Sequence, residues 1–189
     1  MGDARDQLLE QIVAEVASHG LADRSLREIA TAVGSSHRML LYHFGSREGL
    51  VDAIVRAVEA NQRELLRELA AEAEDARALV LALWARVSAP ELRPFVRLFF
   101  ESVASTAGRT GSVGGSARGS DELTAPWLDT SAEVTEQLGL AFDPVEMRLG
   151  VAVTRGLLVD VLVTGETGPA TAALEHFLEL WQPRDRPRR

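Results

Sequence analysis

The chain has 189 residues with a formal net charge of −8; it is 46% apolar and 25% charged, and it contains no Cys and no Lys. Such proportions fit one soluble globular core, or a core carrying a small module. Without Cys there is no disulfide framework and no thiolate metal site, which points to a reducing, cytoplasmic compartment, and the acidic balance taken alone argues against a protein that coats nucleic acid.

From Asp3 to His19, apolar residues recur at Leu8, Leu9, Ile12, Val13 and Val16, a helical stripe that Gly20 stops. Ser25-Leu-Arg-Glu28 reads as a capping box, and the short helix it starts ends at Gly34. Ser36 to Phe44 forms a second short helix, Gly45-Ser46 breaks it, and a long helix starts near Arg47. Two further helices carry Val80, Leu83, Trp84 and Val87, then Leu92, Phe95, Val96, Phe99, Phe100 and Val103. Residues 105–121, rich in Gly and Ser, read as a flexible loop. Pro126, Trp127 and Leu128 open a helix that ends near Leu138. Asp143-Pro-Val-Glu146 caps the next, whose body from Leu149 to Val163 is apolar nearly all round. That run is interrupted by Arg155 and Asp160, so it does not read as a membrane span, and no N-terminal segment reads as a signal peptide. Leu174, Phe177, Leu178 and Trp181 mark the last helix, and Pro183 to Arg189 form an Arg/Pro-rich tail. Nine helices and no strand make the chain all-α.

Charge is unevenly placed. Residues 24–47 hold Arg24, Arg27, Arg38 and Arg47 against Glu28, a local +3, whereas residues 51–182 hold 11 Arg and 20 acids, a local −9. A basic island on an acidic body suggests a small anion-binding module attached to something else. Residues 25–44 have the sequence form of a helix-turn-helix, in which one helix braces the backbone and the next lies in the major groove. The second helix offers Ser36, His37, Arg38, Tyr42 and His43. Arg38 can hold guanine O6 and N7 or grip a phosphate. Arg47, beside free amides at the next helix start, suits a phosphate clamp. Spacing alone also fits a helical pair with a solvated charged face.

The run Ser25-Leu-Arg-Glu-Ile-Ala-Thr-Ala-Val-Gly34 through Leu41-Tyr-His-Phe-Gly-Ser-Arg-Glu-Gly-Leu50 resembles the DNA-binding domain of TetR-family repressors, over about 45 residues. The resemblance implies a three-helix DNA-binding domain over residues 1–48, a ligand-binding and dimerisation domain over 49–182 and a tail over 183–189. It places Arg27, Ser36, His37, Arg38, Tyr42 and His43 at DNA-facing positions, and Arg47 where the family usually has a phosphate-contacting Lys. Two departures stand out. Leu41 replaces the usual Tyr, and bulkier Arg38 replaces a small residue, so the operator sequence does not carry over.

The same resemblance implies a homodimer on a palindromic double-stranded operator, joined through the last two helices (about 144–163 and 170–181), and a small-molecule effector held among the middle helices. Repression relieved by that effector is the family default. Candidates for the ligand pocket are Trp84, Phe95, Phe99, Trp127 and Met147, with Arg155 and Asp160 as polar contacts; core packing is the competing reading for each, and an ion pair across the dimer for Asp160. No cofactor or metal is expected, since His37 and His43 lie on different helix faces. An enzyme is disfavoured by the lack of a nucleophile elbow, phosphate loop or His-Glu-x-x-His pattern. A helix-turn-helix module that binds a protein partner without DNA remains the other alternative.

Overall fold

The structure is a computed structural model and describes residues 2–21, 24–110 and 118–181. Those residues form nine α-helices and no strand: α1 (Gly2–His19), α2 (Leu26–Ala32), α3 (His37–Phe44), α4 (Arg47–Glu72), α5 (Ala76–Val87), a 3-10 turn at Pro90–Leu92, α6 (Arg93–Thr110), α7 (Arg118–Gln137), α8 (Pro144–Thr164) and α9 (Gly168–Leu180). The all-α expectation holds.

Two boundaries differ from expectation. The Gly/Ser-rich stretch is helical at both ends, because α6 continues to Thr110 and α7 begins at Arg118; residues 111–117 of the expected loop and the 183–189 tail lie outside the described residues. Pro126 was expected to open a helix, yet it lies inside α7. Composition reads weak helix formers as loop, whereas low propensity alone is a weak prior that does not end a helix.

The chain divides into two compact units, residues 1–60 with 90–108, and residues 61–89 with 109–189. In the first, Ile12 and Val16 of α1, Ile29 and Ala30 of α2, and Leu40 and Phe44 of α3 share one core with Leu50, Ile54 and Val58 of α4 and Phe95 and Leu98 of α6. The first half of α4 is thus buried with α1, α2 and α3. Asp52 of α4 accepts a hydrogen bond from Ser102 Oγ of α6 at 2.9 Å.

In the second unit, Trp84 and Val87 of α5 pack with Val161 of α8 and Ala170, Leu174 and Leu178 of α9. A second cluster joins Leu66 and Ala70 of α4, Leu79 of α5 and Val134 of α7. Arg67 ties α4 to α7 by donating to Glu133 at 2.8 Å and to Thr130 Oγ1 at 3.3 Å. No described helix is long and apolar enough to cross a membrane.

Candidate nucleic-acid interface

The interface is built from caps. Ser25 begins α2 with both halves of a capping box: its Oγ accepts from the Glu28 amide at 3.3 Å, and Glu28 Oε2 accepts from the Ser25 amide at 2.7 Å. The hydroxyl and amide of Ser25, with Arg24 adding its charge, hold the Glu28 carboxyl below its ordinary range. After α2 the chain reverses at Gly34, whose φ of 65° suits a residue without a Cβ. Ser36 then restarts it, accepting from the Met39 amide at 3.2 Å.

These caps fix which faces point inward. Ile29, Ala30, Leu40 and Phe44 are buried, so α2 and α3 are anchored on the first unit's core. The opposite face of α3 is left to solvent: Arg38, Met39 and Leu41 are exposed, and Tyr42 is 65% exposed. Ser36 is exposed, His37 and His43 are half-buried, and Arg27 is exposed on α2. The Tyr42 ring stands edge-on to His43 with centroids 5.0 Å apart, which holds two polar aromatics together at the end of α3. An eight-residue helix with one side anchored and the other carrying a guanidinium, a phenol and apolar tips has the chemistry that reads base edges and thymine methyls.

Arg47 is placed differently from a free clamp. Its Nε donates to the Arg24 carbonyl at 3.4 Å and its Nη2 to the Leu21 carbonyl at 3.5 Å, so much of its fork is committed to backbone between α1 and α2. Arg24 is paired with Glu15 at 2.9 Å, which offsets one charge of the basic island. Among the described residues, Arg27 and Arg38 carry no ion pair, in contrast to Arg24 and its Glu15 partner.

Three contributors were not found by sequence reasoning. Leu41, which replaces the usual Tyr, adds exposed apolar surface beside Met39. Arg5 of α1 lies over the Phe44 ring, 5.4 Å from its centroid, which brings a cation to the end of α3. Gly49 lies where a Cβ would overlap the Phe44 carbonyl oxygen. A cation on one helix and a ring on another have no sequence spacing to betray them; the Gly49 contact is visible only once the corner is built.

The seven pocket candidates are spread over separate clusters. Trp84 is 2% exposed in the α5–α8–α9 core and donates its Nε1–H to Thr171 Oγ1 at 2.7 Å. Phe95 is buried and Phe99 partly buried in the first unit's core. Trp127 packs at the α4–α5–α7 cluster with the Arg63 guanidinium 5.9 Å from its ring. Met147 is half-buried on α8, Arg155 donates to Thr124 Oγ1 at 3.0 Å, and Asp160 is exposed. The second unit has a cleft of about 410 Å³ lined by Asp75, Arg77, Leu138, Leu140, Leu178 and Trp181 among others, and none of the seven lines it. Among the described residues no three His, Asp or Glu side chains gather as a metal site.

Comparison with known proteins agrees with this geometry. The pattern for bacterial regulatory proteins of the tetR family matches residues 8–54, which takes in α1 from Leu8 onward, α2, α3 and the start of α4. The HTH-type transcriptional repressor KstR2 of Rhodococcus jostii is 35% identical over 79 residues, 42% of this chain and 39% of that repressor's length. A TetR-family transcriptional regulator from Pectobacterium atrosepticum superimposes with a TM-score of 0.72 at 20% identity, over 97% of each chain. A transcriptional regulator from Rhodococcus sp. Rha1 does so with a TM-score of 0.61 at 17% identity, over 93% of this chain and 94% of its own. At such identities the two structures speak for the fold, and the matched N-terminal residues speak for the family. Residues 8–54 thus carry the pattern of the tetR family of bacterial regulatory proteins, and the chain as a whole has the fold of the regulators it superimposes on.

Proposed function

We propose that the protein is a sequence-specific DNA-binding transcriptional regulator that acts as a repressor. The observation that carries this reading is α3, capped by Ser36 and anchored through Leu40 and Phe44, with Arg38 and Tyr42 left exposed on its outer face. The named repressor that 79 residues of the chain resemble supports the same reading. Arg38 reads a guanine, Met39 or Tyr42 packs on a thymine methyl, and Arg27, Ser36, His37 and His43 hold the backbone in register. Two chains join through α8 and α9 and present two α3 helices to a palindromic operator, with half-sites about 34 Å or a little more apart. A small molecule in the second unit then shifts the dimer away from the operator, with about 1–3 kcal/mol of coupling.

The test is selection of operators from random duplex DNA with purified protein. An inverted repeat should be enriched. Replacing Arg38 by Ala should relax preference at one base position per half-site at a cost of about 1–3 kcal/mol, while Arg27→Ala should weaken all sequences alike and lower the salt slope by about one. Absence of any enriched sequence sinks the DNA-binding reading. If DNA is bound but no small molecule found through the neighbouring genes changes the affinity, the effector part fails alone.

A further inference from the structure

Helix α8 presents an apolar face that the described residues of its own chain leave uncovered. Val145 is 75% exposed, Leu149 53%, Val159 40% and Val163 80%, and Ala152 and Gly156 are exposed between them. Spacings of four, three, four, three and four residues keep all six on one side of the helix. The spacing along that side is symmetric about position 154, with apolar opposite apolar and small opposite small. Val145 and Val163 lie nine residues before and after position 154, Leu149 and Val159 lie five, and Ala152 and Gly156 lie two. At six residues either side stand two exposed opposite charges, Arg148 and Asp160, for which no ion pair is recorded among the described residues.

A face whose apolar positions are symmetric about one height, and whose mirrored charges are opposite, is complementary to its own reversed copy. Antiparallel packing about a two-fold axis at the height of residue 154 brings each position opposite the one equidistant from 154. Arg148, Ala152, Gly156 and Asp160 form one row at four-residue spacing. Laying such rows side by side is the packing that crosses two helices at about −50°. In that arrangement the small pair Ala152 and Gly156 meets its reversed copy at the crossing point, and each Arg148 lies opposite an acid.

Gly156 is the second indication. A helix-interior glycine weakens its helix, and here a Cβ would meet nothing within 4 Å in its own chain. Gly150 of the same helix is equally open, but Gly156 is the one on the exposed face, where the missing Cβ leaves room for a backbone to approach from outside.

We infer that two copies of the chain pair α8 against α8 in antiparallel register about residue 154, and that reciprocal ion pairs between Arg148 of one copy and Asp160 of the other select the partner. The inference rests on the homodimer reading above and adds to it a register, a crossing point and the residues that let a chain recognise itself. Like charges set opposite each other reject a wrong partner more strongly than the matched pairs attract the right one.

The experiment uses the full-length chain and measures assembly by light scattering and native mass spectrometry. Arg148→Asp and Asp160→Arg each create two like-charged contacts in a self-pair, and each should weaken dimerisation roughly tenfold or more. Mixed in equal amounts, the two variants should assemble again, almost entirely as mixed dimers. One chain then carries Asp at both positions and the other Arg at both. Gly156→Leu should leave the circular dichroism spectrum of a folded chain and abolish the dimer. A wild-type dimer whose charge variants self-associate unchanged, or mix in statistical proportion, overturns the register alone. A wild-type chain that stays monomeric up to high micromolar concentration overturns the homodimer reading with it.

Discussion

The carbonyl oxygen of Phe44, the last residue of α3, fills the space that a Cβ on Gly49 would need. Between them Ser46 turns the chain and caps α4, its Oγ accepting from the Gly49 amide at 3.0 Å. The end of the recognition helix is therefore wedged against the first turn of the long helix. Gly49→Ala should force this corner open and cost about 1–3 kcal/mol of overpacking, read as a lower urea midpoint. Operator affinity should fall further than the lost stability accounts for, because the tilt of α3 is set here. An Ala variant as stable as the parent would refute the wedge.

Arg47 offers a test of staple against clamp. Its two donors reach the carbonyls of Arg24 and Leu21, so the fork geometry matters as well as the charge. Arg47→Met should cost about 1 kcal/mol in urea unfolding. Arg47→Lys, which keeps the charge but not the fork, should lose a similar amount. A residue acting only on phosphate would leave stability untouched in both, and only the Met variant would lower the salt slope of DNA binding.

What could be read from the sequence was local. Ser25 and Glu28 cap within one turn, Asp143 accepts from Val145 and Glu146 as its spacing suggests, and the turns at Gly34 and Gly45 follow from positive φ. Such features need only neighbours in the chain. Pro126 misled because proline at a first turn and proline tolerated inside a helix look the same in sequence. The aromatic residues were legible as apolar but not as members of a particular cluster. Trp84 found Thr171, Trp127 found Arg63, and Phe95 entered the core shared by α1 to α4, choices made by tertiary packing. Likewise the basic island counted four Arg, and only the folded chain shows Arg24 held by Glu15 and Arg47 by backbone.

The capping box of α2 makes a pH prediction. Glu28 is held below its ordinary range by the Ser25 hydroxyl and amide. A lowered carboxyl stabilises the fold above its unfolded pKa, about 4.3 for Glu, and that contribution fades as the pH falls through the folded value. Glu28→Gln should therefore melt below the wild type at neutral pH, and the gap should close on acidification. Ser25→Ala, which removes the N-cap acceptor, should cost about 1 kcal/mol. A gap between wild type and Glu28→Gln that widens towards acid pH would contradict the assignment.

The bond from Trp84 to Thr171 decides whether that indole is a core group. Trp84 Nε1–H donates to Thr171 Oγ1 at 2.7 Å, and the same hydroxyl donates to the Thr167 carbonyl at 2.9 Å, so one oxygen serves two neighbours in a nearly closed site. Thr171→Val keeps the shape but strands the indole N–H, at about 1–3 kcal/mol for an unpaired buried donor. Thr171→Ser restores the hydroxyl and should recover most of the loss. Trp84→Phe removes the donor and leaves a void, which carries its own cost. Once that donor is gone, adding Thr171→Val to Trp84→Phe should cost much less than Thr171→Val does alone. Urea unfolding of the four variants gives the coupling directly. If the indole instead faced water or an effector, Thr171→Val would be close to neutral in both backgrounds.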